Sequence, residues 1–141
     1  MKFIADVMLG RLARWMRFAG YDVEYDRTAA DDFLLHRSRW RILLTRDRAL
    51  ALRARPGRVY FVQSVGAERQ FAEIQGRFPE GAGSPRCLVC NHAIRRIRKQ
   101  NIRHLVPPFV YEHSREFFRC TACRRIYWKG THFERLSRMI K

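Results

Sequence analysis

Short apolar runs alternate with helical patterns along the first half of the chain. Residues 2–5 form a mostly apolar run, which predicts a buried strand. Residues 7–20 predict a helix, because apolar side chains recur there every three or four positions: Leu9, Leu12, Ala13, Met16 and Ala19. Gly20 stands where a residue of left-handed conformation commonly ends a helix. The chain therefore opens with a strand, Asp6 and an amphipathic helix.

The same alternation continues to residue 78. Further strands are predicted at 21–25, 41–45 and 58–62, and further helices opening at 28–32 and spanning 48–55 and 68–78. Strands that alternate with helices form βαβ units, which predicts an α/β fold with a parallel sheet covered on both faces. The segment 79–85 has the Gly and Pro content of a linker. We therefore predict one domain at 1–78 and another at 86–141.

Four cysteines lie beyond this linker in two pairs of identical spacing. Cys87 and Cys90 form one C-x2-C pair, and Cys120 and Cys123 form the other. Two such pairs let four thiolates surround one tetrahedral ion and leave no open position, as in structural zinc sites. The spacing therefore predicts a small zinc ribbon after the α/β domain.

The charge is strongly positive and unevenly distributed. Twenty-nine Lys and Arg against thirteen Asp and Glu give a net charge of +16, which favours nucleic acid or an anionic membrane as partner. No apolar run is long enough to span a membrane, no strongly amphipathic terminal helix suggests docking on one, and we favour nucleic acid. Residues 86–141 hold fourteen of the basic residues but only three acids. The acids are therefore concentrated in the first domain and the phosphate-attracting charge in the second.

Acidic residues lie at one predicted edge of the sheet. Asp6 follows the first strand and Asp47 the third, while Asp31 or Asp32 opens the second helix. Each of them can serve as a helix cap. Two carboxylates about 4 Å apart repel by roughly 4 kcal/mol at an effective dielectric near 20, so a cluster favours a bound cation. Oxygen ligands favour Mg²⁺ or Mn²⁺, which can activate water for attack on a phosphodiester.

Several basic and aromatic side chains are candidates for contacts with RNA. Arginines near the acids can position phosphates or pair with the acids themselves, and those in the second domain can contact RNA or form a solvated face. Aromatic rings after the second cysteine pair can stack on unpaired bases or pack beside the metal. The candidates are Arg11, Arg14, Arg46, Arg95, Arg96, Lys99, Trp128 and His132.

Blocks of this sequence resemble those of a known family. The segments 2–17, 20–22, 43–47, 84–91, 120–123 and 127–132 are similar to small prokaryotic PIN-like ribonucleases with a fused zinc ribbon, a domain that also ends certain mutator-class exonucleases. The resemblance implies a PIN-like sheet with metal-dependent ribonuclease chemistry at Asp6 and Asp47. It also selects Asp31 as the third acid, because the family sets an aspartate three residues before an apolar pair, with Asp32 as the reserve.

The leading hypothesis is a cytoplasmic, metal-dependent ribonuclease that hydrolyses RNA at an Asp cluster and binds RNA through a basic zinc ribbon. Structural zinc and catalytic Mg²⁺ or Mn²⁺ are the expected cofactors. No fourth acid is predicted, since Glu68 and Glu73 are expected to face solvent. The alternative is a non-catalytic RNA- or ribosome-binding protein whose acids are helix caps. The sequence identifies no protein partner.

Overall fold

The computed structural model describes residues 1–139 of the protein, with every side chain in that range except those of His132 and Met139. Residues 1–91 form one compact unit, and the residues from 92 onward form a second. The domain limits expected from the sequence, 1–78 and 86–141, stay a prediction. Each unit is described by itself.

The first unit is an α/β fold, as the hydrophobic pattern predicts. Its sheet has four parallel strands in the order β2-β1-β3-β4, flanked by helices. The strands are β1 Lys2–Ala5, β2 Asp22–Glu24, β3 Ile42–Thr45 and β4 Val59–Phe61. The helices are α1 Gly10–Phe18, α2 Asp31–Arg37, α3 Arg48–Arg53 and α4 Ala67–Arg77, and a 3-10 turn covers Val7–Leu9.

The strand order creates a topological switch point between β1 and β3. The chain leaves β1 through α1 toward β2 on one side and leaves β3 through α3 toward β4 on the other. Open α/β sheets bind ligands in the crevice that forms outside the carboxyl ends of two such strands. A ligand-binding site is therefore expected at the residues that directly follow β1 and β3.

Both faces of this sheet are buried. On one face Ile4 and Leu43 pack with Leu34 of α2 and Leu50 of α3. Phe3, the residue before Ile4, contacts the rings of Tyr21 and Phe78 edge-on, with centroids 5.8 and 5.2 Å away. Strand side chains alternate in direction, so adjacent residues of β1 serve two different parts of the core.

The segment between α4 and the first cysteine pair belongs to the first unit and packs against the end of α1. A 3-10 turn spans Pro79–Gly81, and the amide of Gly83 donates to the carbonyl of Ala19 at 3.1 Å. Gly20 has a φ of +92°, and a Cβ there would lie 2.1 Å from the backbone of Gly83. Only glycine satisfies both the left-handed turn that ends α1 and this close backbone approach.

The second unit is built around a three-stranded antiparallel sheet. The strands, in the order β5-β6-β7, are β5 Ile94–Ile97, β6 Phe117–Cys120 and β7 Ile126–Trp128. A 3-10 turn at Lys99–Ile102 and helix α5 Pro108–His113 connect β5 to β6, and helix α6 Thr131–Met139 follows β7. Its small core consists of Ile102, Val106 and Phe117. Such a core is too small to fold most modules of this size unaided.

No helix among residues 1–139 is long and apolar enough to cross a membrane.

Candidate functional site

One threonine at the switch point forms hydrogen bonds with the side chain of Asp6 and with the main chain of Asp47. Thr45, the last residue of β3, donates its hydroxyl proton to Oδ2 of Asp6 at 2.7 Å. The same hydroxyl oxygen accepts a hydrogen bond from the amide of Asp47 at 2.9 Å. Asp6 itself follows β1, and its amide donates to the carbonyl of Leu44 at 2.9 Å. The carboxyl ends of β1 and β3 are thereby joined side by side, with an acid on each.

Both acids also cap helices. Oδ1 of Asp6 accepts from the amide of Val7 at 2.7 Å, and Oδ1 of Asp47 accepts from the amide of Leu50 at 3.1 Å. Asp6 is only 3% exposed, whereas Asp47 is half-buried. A carboxylate oxygen has two lone pairs, so these bonds leave each acid able to accept a further ligand. Capping and ion binding are compatible at these positions.

The remaining predicted acids lie beside an arginine. Asp31 and Asp32 form the first turn of α2, and the guanidinium of Arg53 lies 3.7 Å from Asp31 and 2.8 Å from Asp32. The side chain of Asp31 is 53% exposed and that of Asp32 is 91% exposed. Neither shares the hydrogen-bonded link between Asp6 and Asp47. Within residues 1–139, the acids form no group of three carboxylates close enough to hold one ion.

The four cysteines do form a compact cluster. The sulfur atoms of Cys87, Cys90, Cys120 and Cys123 all lie within 4.8 Å of one another. None of them is in a disulfide. Four thiolates at this separation match the closed tetrahedral donor set of structural zinc. The arrangement expected from the sequence spacing is therefore present, and the cluster can hold a zinc ion.

The first cysteine pair is fastened to α1 by a buried arginine. Arg17 is 4% exposed, and its Nη1 donates to the carbonyls of Leu88 and Val89 at 2.9 and 3.1 Å, the two residues between the cysteines. Its Nε donates to the carbonyl of Val23 at 3.0 Å. The hydrophobic pattern places Arg17 outside the apolar face of this helix, so its burial was not predicted. Its position four residues after Ala13, which lies on that face, was the available signal for an inward direction.

A second anchor joins the same turn to strand β2. Asn91, in a left-handed conformation with φ of 67°, accepts from the amide of Val23 through Oδ1 at 3.1 Å. Its Nδ2 donates to Asp22 at 2.8 Å, and Arg41 donates to the same carboxylate at 2.7 Å. Burial raises the pKa of Asp22, but these bonds and the charges of Arg41 and Arg86 outweigh it and lower the pKa overall. Asp22 is therefore a structural acid of β2.

A family model matches almost the whole sequence. The model of the Mut7-C RNAse domain matches residues 1–140. The chain therefore belongs to the Mut7-C RNAse domain family. No curated protein and no solved structure matches the chain. Family membership supports a ribonuclease-type role with RNA as substrate.

The arginines near the acids of this Mut7-C domain differ in how they are held. Arg11 and Arg14 are exposed on α1. Arg46, between Thr45 and Asp47, is half-buried, and its Nη1 donates to the carbonyls of Val62, Gln63 and Ser64 at 2.9, 2.7 and 2.8 Å. Arg46 thus holds the loop after β4 at the carboxyl edge of the sheet. Contacts of these arginines with RNA stay a prediction.

Glu73 of α4 was expected to face solvent, and that expectation is wrong. Its Oε1 accepts from the hydroxyl of Tyr60 and the amide of Gln63, both at 2.9 Å, and its Oε2 accepts from the amide of Ser64 at 2.8 Å. Glu73 therefore holds, through amides, the same loop that Arg46 holds through carbonyls. An acid within a helical pattern carries no signal for such partners, because they lie nine to thirteen residues earlier in the chain.

Glu73 makes the stability of the domain pH-dependent. Burial raises its pKa, but the hydrogen bonds from Ser64, Gln63 and Tyr60 outweigh this and lower the pKa overall. A lowered native pKa stabilises the fold above the unfolded-state pKa of about 4.3 and loses this effect as the pH falls through the native value. We expect the Glu73→Gln variant to be less stable than the parent in urea at pH 7, and we expect the difference to shrink as the pH falls through the lowered native pKa of Glu73. The exposed Glu68→Gln change should show no such difference.

Arg17 is expected to stabilise the fold by satisfying three carbonyls. Replacing it with methionine keeps much of the volume but removes the donors to Val23, Leu88 and Val89. Buried acceptors left without partners cost about 1–3 kcal/mol each at most, so we expect a loss of roughly 2–4 kcal/mol in the free energy of unfolding. Urea unfolding measures it, with the exposed Arg14→Met change on the same helix as control. Equal losses for both variants would contradict the anchoring role.

The predicted RNA contacts of the second unit occupy different environments. Arg95 and Arg96 are exposed on β5, and Arg96 lies 3.4 Å from Glu116. The ammonium of Lys99 lies 4.7 Å from the ring centre of Tyr111. Trp128 packs against the core of the unit. The side chain of His132 lies outside the described part of the chain. All five stay predictions as RNA contacts.

Proposed function

We propose that the protein is a metal-dependent ribonuclease whose acidic site is centred on Asp6 and Asp47. The observation that carries the proposal is the Thr45 hydroxyl, which bonds to the carboxylate of Asp6 and to the main-chain amide of Asp47 at the switch point of a Mut7-C RNAse domain. In the reaction one water is consumed: its oxygen bonds to phosphorus, a P–O bond breaks, and a proton reaches the oxygen that leaves.

The donor set at this edge fits a hard divalent cation. Asp6 and Asp47 offer only carboxylate oxygens, the ligands that Mg²⁺ and Mn²⁺ prefer. Mg²⁺ is commonly bound by one or two carboxylates, with substrate phosphate and water as the other ligands. Two acids therefore suffice when RNA is present. A bound ion would supply a Lewis acid and lower the pKa of its water.

Asp31 enters the proposal as the third acid, with Asp32 in reserve. Asp31 opens α2 after β2, the position from which the sequence predicts it at this edge, but its neighbour in the structure is Arg53. We expect Asp31→Asn to reduce cleavage less than Asp6→Asn. Equal loss in both variants would show that three acids act together.

The remaining features of the proposal follow from charge and from the thiol cluster. A PIN-like assignment of the sheet agrees with the acids after β1 and β3. The net charge of +16 favours RNA, with Arg11, Arg14, Arg95, Arg96, Lys99, Trp128 and His132 as contacts. Cysteines that bind zinc instead of forming disulfides suit a reducing compartment, so the proposed location is the cytoplasm.

Thr45 is expected to be a positioning residue for both acids. Thr45→Val keeps the shape of the side chain but removes the bonds to Asp6 and to the amide of Asp47. Loss of such a supporting hydrogen bond commonly costs 10–100-fold in metal affinity or activity, and we expect cleavage to fall by about that factor. The measurement is the cleavage rate over a Mn²⁺ titration, which should shift to higher concentration. Thr45→Ser, which keeps the hydroxyl, should retain the parental profile.

A non-catalytic RNA-binding role is the second candidate. The capping bonds of Asp6 and Asp47 and the pairing of Asp31 and Asp32 with Arg53 favour it, because each acid then has a structural role. The test is a panel of structured and single-stranded RNAs incubated with Mn²⁺. Binding with a steep salt dependence and no cleavage of any RNA would favour this candidate.

A further inference from the structure

An open groove lies beside Asp47, between α3 and the end of β4. It has a volume of about 860 Å³. The residues that line it come from the end of β3, from α3 and from the end of β4: Arg46, Arg48, Ala51, Leu52, Phe61 and Gln63. Arg46 and Arg48 flank Asp47 in sequence, and Phe61 is paired with Thr45 in the sheet. The groove therefore begins where the proposed acidic site ends.

An aromatic ring and a guanidinium form the centre of the groove. The guanidinium carbon of Arg48 lies 5.3 Å from the ring centre of Phe61, a cation–π contact. Arg48 is exposed, and Phe61 is half-buried at the end of an outer strand. Leu52 is 86% exposed at the wall of the groove. A purely polar ligand would gain little binding free energy from contact with the side chains of Leu52 and Phe61.

The rim of the groove is rigidly held. Nη1 of Arg46 is engaged by three loop carbonyls, and Glu73 fixes the same loop through the amides of Gln63 and Ser64. Nε and Nη2 of Arg46 have no partner among residues 1–139, so they keep donors for a phosphate. The loop is thus held by Arg46 through its carbonyls and by Glu73 through its amides.

We propose that this groove is a nucleobase subsite for single-stranded RNA, in which one base stacks on the Arg48–Phe61 pair. The proposal rests on the ribonuclease function and adds the place where the nucleotide next to the cleaved bond is held. Unpaired bases stack on aromatic rings and on Arg guanidinium planes. Arg46 would contact the adjacent phosphate, and Gln63 offers an amide to the edge of the base. A paired base has no exposed face for this contact, so the occupant is single-stranded.

The test is binding of a fluorescent adenosine RNA decamer with phosphorothioate linkages, which resists hydrolysis. We expect Phe61→Leu to weaken binding by about tenfold, within the 5–150-fold range that stacking of one base gives. Phe61→Tyr, which keeps the ring, should bind like the parent. The slope of affinity against salt should not change in Phe61→Leu, because no phosphate contact is lost.

Trp40 provides a matched control. It is 57% exposed in another arginine-lined groove, with Arg39, Arg53 and Arg55, and it precedes β3 and so lies at the amino edge of the sheet. Trp40→Leu should leave affinity within about twofold. An abasic decamer should bind the parent and Phe61→Leu equally, since it has no base to stack.

The outcomes separate this proposal from the ribonuclease function. Equal binding of the RNA decamer by the parent and Phe61→Leu, with both folded, would overturn the subsite and leave the ribonuclease function standing. A base-dependent loss in Phe61→Leu, combined with no cleavage of any RNA in Mn²⁺, would support the subsite and overturn the ribonuclease function.

Discussion

Asp6→Asn is expected to eliminate metal-dependent RNA cleavage while RNA binding persists. Asn caps a helix as well as Asp does, and its side-chain oxygen can still accept from the amide of Val7, while its amide nitrogen can donate to the Thr45 hydroxyl, which donates to Asp6 in the parent. The change therefore removes the charge of the carboxylate and little else. Removing a charged group that acts directly in a site commonly costs about 10³-fold or more in rate, and we expect a loss of that order.

The measurement compares single-turnover cleavage rates and RNA affinity in Mn²⁺ for Asp6→Asn, Asp47→Asn and the parent. Both variants should lose cleavage and keep affinity. Glu68→Gln on the exposed face of α4 is the control for loss of a carboxylate elsewhere, and it should cleave like the parent. Undiminished cleavage by Asp6→Asn and Asp47→Asn would refute the acidic site, and cleavage that persists without a divalent ion would refute the metal dependence.

Loss of the zinc cluster is expected to unfold the second unit. Its apolar core is limited to Ile102, Val106, Phe117 and their partly buried neighbours. Zinc contributes about 10–16 kcal/mol to the folding of small zinc-finger peptides, far more than such a core can offer. We expect Cys120→Ser to abolish zinc binding and to remove the antiparallel sheet, while the first unit keeps its own core.

Two measurements check this expectation. The zinc content of the purified chain should fall from one ion to none, and amide hydrogen exchange should accelerate in β5, β6 and β7 but not in β1 to β4. Because the chain has four cysteines, thiol titration should count four in the metal-free parent and three in the variant. Ala122→Ser, in the same turn as Cys120, should keep the ion. A slow-exchanging second unit in Cys120→Ser would contradict a structural role for zinc.

The hydrophobic pattern was sufficient to predict the elements of the first unit. Each parallel strand is a short apolar run, because it is buried on both faces, and each helix has apolar residues at helical spacing. The paired C-x2-C spacing was sufficient to predict the thiol cluster, since two such turns present thiolates to one point. Local spacing carries both signals, and they need no knowledge of distant partners.

The acids were only partly predictable. That Asp6 and Asp47 follow strands is readable from the sequence, because parallel strands end at one edge of a sheet. That they are joined through Thr45 depends on β1 and β3 being neighbours, and strand order is not a local property. The contact between Asp31 and Arg53 was not predictable for the same reason, because Arg53 lies on another helix, 22 residues later in the chain.

The sequence by itself thus determined the elements, the α/β class, the basic charge and the four thiol ligands. Only the tertiary structure decided which acids meet, that Arg17 faces inward to hold the first cysteine pair, and that Glu73 and Arg46 fix one loop. The physical reason is the same in each case. Hydrogen bonds between residues distant in sequence depend on strand order and packing. Hydrophobic periodicity and cysteine spacing are local properties that can be read directly from the sequence.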